Sequence, residues 1–229
     1  GDVNGDGIDD IIIGSIWADQ DDAEGAGESY VVFGSSEDWS KALDLSDLNG
    51  TNGFQINGID RRDFSGWSVS SAGDVNGDGI DDIIIGAEYA DQDNAEGAGE
   101  SYIVYGSDTR SASELDLSDL NGTNGFIING IDEDDNSGYS VSSAGDVNGD
   151  GIDDIIIGAW GADQYNAGNA GESYVVFGSS EDWSEALDLS TLDGTNGFSI
   201  NGIDALDYSG RSVSSAGDVN GDGIDDIII

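Results

Sequence analysis

The string GDVNGDGIDDIII occupies residues 73–85 and returns unchanged at 1–13, 145–157 and 217–229. Successive starts differ by 72 residues (73−1, 145−73 and 217−145), so internal repetition governs the architecture. The rest of the repeat returns as well. ESYVVFG begins at Glu28 and Glu172 with ESYIVYG at Glu100, and NGFQINGID, NGFIINGID and NGFSINGID close at Asp60, Asp132 and Asp204. No insertion or deletion separates the copies, which points to recent duplication.

Outward from the string, one repeat reads as four strands: Ser65–Ala72, Asp82–Ala87, Glu100–Tyr105 and Gly125–Ile131. Gly, Asn, Asp and Ser clusters separate them, while β-branched and aromatic residues fill them. The triple Ile lacks polar alternation, as expected of a strand buried on both faces. A short helix is a candidate at Glu37–Leu43, with its equivalent at Glu181–Leu187. Four strands per 72 residues fit a β-propeller blade better than a solenoid coil or an immunoglobulin-like sandwich. The expected fold is therefore all-β, with blades of four antiparallel strands. Residues 1–63 make a blade lacking its first strand, 64–135 and 136–207 complete blades, and 208–229 the start of another. That is an incomplete ring, since closure needs roughly 4–8 blades.

Asp and Glu number 49 against 5 Lys and Arg, a net charge of −44. Such imbalance usually marks a disordered chain, but 37% hydrophobic residues in strand-like runs argue for a folded one. Its field repels nucleic acid and anionic membrane surfaces. Without Cys there are no disulfides or thiol chemistry, and no apolar run approaches the ~20 residues of a membrane span. The absence of Met makes a fragment or processed product the expectation.

The string itself places oxygen side chains at alternate positions of a tight loop. Asp2, Asn4, Asp6 and Asp10 stand at loop positions 1, 3, 5 and 9, with the carbonyl of Ile8 as a backbone donor. Calcium takes six to eight hard oxygen ligands in a flexible shell, and Gly7 permits the sharp turn. The equivalent sets are Asp74, Asn76, Asp78, Ile80 and Asp82; Asp146, Asn148, Asp150, Ile152 and Asp154; and Asp218, Asn220, Asp222, Ile224 and Asp226. A helix-flanked EF-hand is excluded, because position 9 is Asp and runs directly into a strand. The bland alternative is an Asx-rich turn that binds nothing, but crowded carboxylates repel one another without a cation. Strand alternation turns the adjacent Asp9, Asp81, Asp153 and Asp225 away from the ion.

SGWSVSSAGDVNGDGIDDIIIGA, beginning at Ser65, resembles the FG-GAP repeat of integrin α-subunits. Ser-Gly replaces Phe-Gly at Ser65, Ser137 and Ser209, and the Pro of Gly-Ala-Pro gives way to Glu88 and Trp160. SYVVFG and LDLSxLNGTNGF resemble the long bacterial form, whose blades sit within large secreted surface proteins. The resemblance implies structural calcium, an extracellular or cell-surface bacterial protein, and adhesion or protein and glycan binding. The alternative is a calcium-rigidified spacer or assembly unit without a soluble ligand. Catalysis is not expected. Without His or Cys there is no Ser-His-Asp triad or thiol nucleophile, and Arg61, Arg62, Arg110 and Arg211 do not recur in register. Expected partners are calcium, further copies of the repeat in the same or another chain, and a ligand on the face opposite calcium. Trp17, Tyr89, Trp160, Phe64 and Tyr208 on the 2–3 and 4–1 loops mark that face.

Overall fold

The computed structural model describes residues 1–19, 23–37, 42–91, 95–163 and 167–229. The first sheet takes β1 (Ile11–Ser15), β2 (Glu28–Val32) and β3 (Gly53–Asn57). The second takes β4 (Ser68–Gly73), β5 (Asp82–Ala87) and β6 (Glu100–Val104). Two strands follow, β7 (Glu114–Asp116) and β8 (Gly125–Asn129), and β8 completes the second sheet. The third runs through β9 (Ser137–Gly145), β10 (Asp154–Ala159) and β11 (Glu172–Val176). After β12 (Ala186–Asp188) it closes with β13 (Gly197–Asn201), and β14 (Ser214–Gly217) and β15 (Asp226–Ile228) pair as a hairpin. The chain is all-β, with blades of antiparallel strands in an open array.

The expected strands form because their β-branched side chains fill both faces of each sheet. Ile83 and Ile85 pack with Val31, Phe54 and Ile56 of the first blade. Ile84 turns to the third blade, joining Val141, Ile155 and Ile157. Each buried Ile contributes about 1.5–3 kcal/mol, and each contribution depends on a neighbouring blade. Glycine brings the backbones close enough. A Cβ on Gly86 would lie 2.0 Å from the carbonyl oxygen of Gly138 in the next blade.

One device was not legible beforehand. β7 pairs in parallel with β3 of the preceding blade, Ile56 opposite Leu115, and β12 pairs likewise with β8, Ile128 opposite Leu187. The Ile127 amide donates to the Glu185 carbonyl at 3.0 Å. The second and third blades thus each lend the previous one an extra strand, the fourth of the first sheet and the fifth of the second. A side chain caps each junction, Arg110 over Phe54 at 4.7 Å and Trp183 stacked on Phe126 at 4.1 Å. This corrects the helix expected at Glu181–Leu187, which is irregular up to strand β12, with a short 3-10 turn only beyond it at Leu189–Thr191. Pairing of Leu187 with the neighbouring blade overrides a weak local preference. The equivalent candidate at Glu37–Leu43 falls largely on residues 38–41, outside the described residues.

Candidate metal loops

The second, third and fourth oxygen-rich loops join β4 to β5, β9 to β10 and β14 to β15, so strand pairing sets their ends, and the first leads directly into β1. Gly77 and Gly79 adopt φ of +73° and +91°, which L side chains rarely do, and let the loop fold back on itself. The position-1 carboxylate then receives the loop's own amides. Asp74 accepts from Asp78 N at 3.0 Å and Gly79 N at 2.9 Å, and Asp146 accepts from Asp150 N and Gly151 N at 3.0 and 2.9 Å. Asp2 and Asp218 make the same bonds. Asn4, Asn76, Asn148 and Asn220 each accept from the amide of the position-5 Asp. Those Asp residues, Asp6, Asp78, Asp150 and Asp222, in turn accept from Ile8, Ile80, Ile152 and Ile224.

Position 9 behaves differently. Asp82 is fully buried and accepts from Val75 N at 3.0 Å and Gly106 N at 2.9 Å, tying the 1–2 loop to the 3–4 loop. Asp10 and Asp154 repeat the pattern with Gly34 and Gly178, while Asp226 accepts from Val219. Burial pushes the Asp82 carboxyl up to about 8, with Asp78 and Asp74 adding to the shift against the two amides. Burial likewise raises Asp154 to about 6 and lifts Asp10. In the exposed fourth loop the Gly223 amide holds Asp218 below the usual carboxylate range.

Among the described residues no group of three carboxylates is placed to hold an ion, and loop amides hydrogen-bond to several of their oxygens. The donor set nevertheless fits a hard cation. Every side-chain donor is oxygen, and the Asn amide nitrogen already bridges acids. It reaches position 5 in two loops, Asn4 to Asp6 at 3.2 Å and Asn148 to Asp150 at 2.9 Å. In the other two it reaches position 9, Asn76 to Asp82 and Asn220 to Asp226, at 3.5 and 3.4 Å.

The adjacent aspartates carry a function that sequence reasoning missed. Asp81 Oδ2 accepts from Asp2 N at 2.9 Å, and Asp81 N donates to the Asp2 carbonyl at 3.2 Å. Asp153 clasps Asp74 at 2.9 and 3.3 Å, and Asp225 clasps Asp146 at 3.1 and 3.2 Å. The available signal was strict recurrence of the Asp-Asp pair. Alternation does turn these residues out of their own loops, into the loop of the preceding blade.

At the other end of the blades, the 2–3 and 4–1 loops bring aromatics together. Trp17 meets Phe64 at 4.8 Å, and Phe64 meets Tyr89 at 5.6 Å. Trp160 lies between Tyr139 and Tyr208, at 5.8 and 5.5 Å. Trp17 is 73% exposed and Tyr89 47%. The 4–1 loops hold Arg62, Phe64, Leu206 and Tyr208 at positive φ, a conformation that costs energy away from glycine. A cleft of about 430 Å³ opens instead beside the third oxygen-rich loop, lined by Asn148, Asp150, Phe177, Glu181 and Trp183.

The FG-GAP repeat family matches residues 65–104 and 137–176, the first three strands of the second and third blades. Integrin alpha-PS2 of Drosophila melanogaster is 32% identical over 170 residues, covering 71% of this chain and 11% of that protein. Integrin alpha pat-2 of Caenorhabditis elegans is 35% identical over 174 residues, 69% of this chain and 12% of that protein. The phosphatidylinositol-glycan-specific phospholipase D of Bos taurus is 30% identical over 164 residues, 72% of this chain and 18% of the enzyme. The matched stretch thus spans under a fifth of these relatives' own length. The chain is an integrin-like β-propeller segment built of FG-GAP repeats.

Proposed function

We propose that the chain is a calcium-binding propeller segment of a large extracellular or cell-surface protein, acting in adhesion or in protein or glycan binding. The observation that carries this reading is the fourfold oxygen-rich loop, with carboxylates such as Asp82 and Asp154 buried. Among the described residues the ion pair is Arg61 with Glu24, away from those loops. When bound, calcium would neutralise the crowded carboxylates and hold each hairpin. Asp, Asn, Asp and Asp at positions 1, 3, 5 and 9 would supply side-chain oxygens, and Ile80 and its equivalents a carbonyl. Calcium titration calorimetry tests it: saturable binding to four sites is expected, and no heat of binding refutes it.

The segment is not itself an enzyme on this reading. Integrins and a phospholipase D are similar over 71% and 72% of this chain, which favours a module that serves proteins of different activities. The blades divide the chain at 1–63, 64–135, 136–207 and 208–229. Further copies of the repeat, in this chain or another, are its natural neighbours. Among the described residues no helix is long and apolar enough to cross a membrane. A spacer without a soluble ligand is the second reading, favoured by the four unchanged loop motifs. A glycan array and pull-down with the 229-residue chain separate the two.

A further inference from the structure

We infer that Asp81, Asp153 and Asp225 couple neighbouring metal loops, so that cations load the array cooperatively. The inference rests on the calcium reading above and goes beyond it by assigning a role to residues that would not ligate the ion. Each clasp is reciprocal. The carboxylate of one blade accepts from the backbone N of the previous loop's first donor, and its own N returns a bond to that residue's carbonyl. The clasping residue directly precedes the position-9 Asp of its own loop, which is buried in the second and third loops. Fixing Asp74 therefore fixes Asp153, and Asp153 anchors Asp154.

Within each loop the chain of contacts continues. Val147 N donates to Asp154 Oδ2, and Asp150 N donates to Asp146 Oδ1. Asp146 then meets Asp225 of the following hairpin. A second link runs in parallel, from Ser179 N to the Val75 carbonyl at 2.9 Å. Loops two, three and four are thus joined in series, and Asp81 joins the first loop to the second.

The clasp demands glycine before each loop. A Cβ on Gly73 or Gly145 would lie 2.2 or 2.1 Å from the Asp153 or Asp225 carboxylate. Coupling requires an element that both sites bias; here it is the loop's first residue, which donates a side chain to one site and a backbone to the next.

The test is calcium titration of the intact 229-residue chain and of Asp81→Ala, Asp153→Ala and Asp225→Ala, singly and together, each checked for folding by circular dichroism in saturating calcium. The intact chain should bind with a Hill coefficient above 1, later ions binding at least about five-fold more tightly than the first. The triple variant should keep four sites and bind without cooperativity. Asp153→Asn retains an acceptor for Asp74 N and should restore much of the coupling. Asp9→Ala, at the same loop position in the first repeat, should leave cooperativity intact. If the triple variant does not fold, the single Asp153→Ala chain decides, by splitting the isotherm into two groups of sites. Non-cooperative binding in the intact chain, or an unchanged isotherm in the variants, overturns the coupling while leaving calcium binding standing. Absence of any binding overturns both.

Discussion

Strands β1 and β5 share the run Ile-Ile-Ile-Gly, yet they live in different surroundings. In β5 every residue is buried. In β1, Ile11 is 56% exposed and Ile13 39%, while Ile12 packs toward the second blade. The face of β1 that packs is the one with a neighbour. A blade therefore owes its stability to the interfaces on either side more than to its own sequence, as in a quasi-one-dimensional array. The metal loops follow the same rule, since their clasps reach across blades.

On the calcium reading, the largest way to break this comparison is chelation. An ion that binds only the folded state stabilises it by about 2.7 kcal/mol per site at a hundredfold its dissociation constant. Several sites would rival the whole stability of a typical domain. Chelation should lower the melting temperature sharply, with hydrogen exchange rising first in β1 and β15 and last in β5 and β10. A melt unchanged in excess chelator would refute the metal's structural role.

Side-chain truncation sharpens it further. Ile84→Ala should cost about 2–5 kcal/mol, because it opens a cavity between two blades. Ile11→Ala should stay within about 0.5 kcal/mol, as exposed substitutions do. Urea unfolding of both variants checks this, and equal losses would mean that β1 is covered in solution.

Next comes pH. Burial raises Asp63 and Asp135 to about 7, with Asp60 and Asp132 adding to the shift against one backbone amide each. A raised carboxylate binds its proton more tightly when folded, so its stabilisation is complete below the unfolded value near 4. It is lost as pH rises through about 7. Melting temperature should fall as pH rises from about 4 to about 7, and Asp63→Asn with Asp135→Asn should reduce that slope.

The repeat and the four strands were legible because each depends on local spacing and periodicity, and the proposed loop donors rest on the same spacing. Position 9 could be told from position 8 by alternation alone. What the sequence did not reveal was the destination of the outward residue, since Asp81 meets Asp2 across 79 positions. The lent strand was hidden for the same reason. Glu114-Leu115-Asp116 is too short to read as a strand without β3 beside it. Long-range pairing leaves no periodic trace, and both devices that bind blade to blade are of that kind.

The smallest expected effect on stability concerns the aromatic face. Trp17 is 73% exposed and touches Phe64 edge-on, a pair worth about 0.5–1.5 kcal/mol. Trp160 is more enclosed, between Tyr139 and Tyr208, with its indole nitrogen buried. Trp160→Ser should therefore lower the melting temperature clearly, and Trp17→Ser hardly at all. Exposed Trp and Tyr are typical interface anchors, so Trp17 and Tyr89 are the residues to follow in a binding assay. Adhesion to surfaces or glycans lost in Trp17→Ser at unchanged stability would make this face the binding face. Adhesion kept in Trp17→Ser and Tyr89→Ser together would leave the aromatics as ties between blades. The cleft beside Asn148 and Trp183 would then be the surface to probe, and the spacer reading would gain.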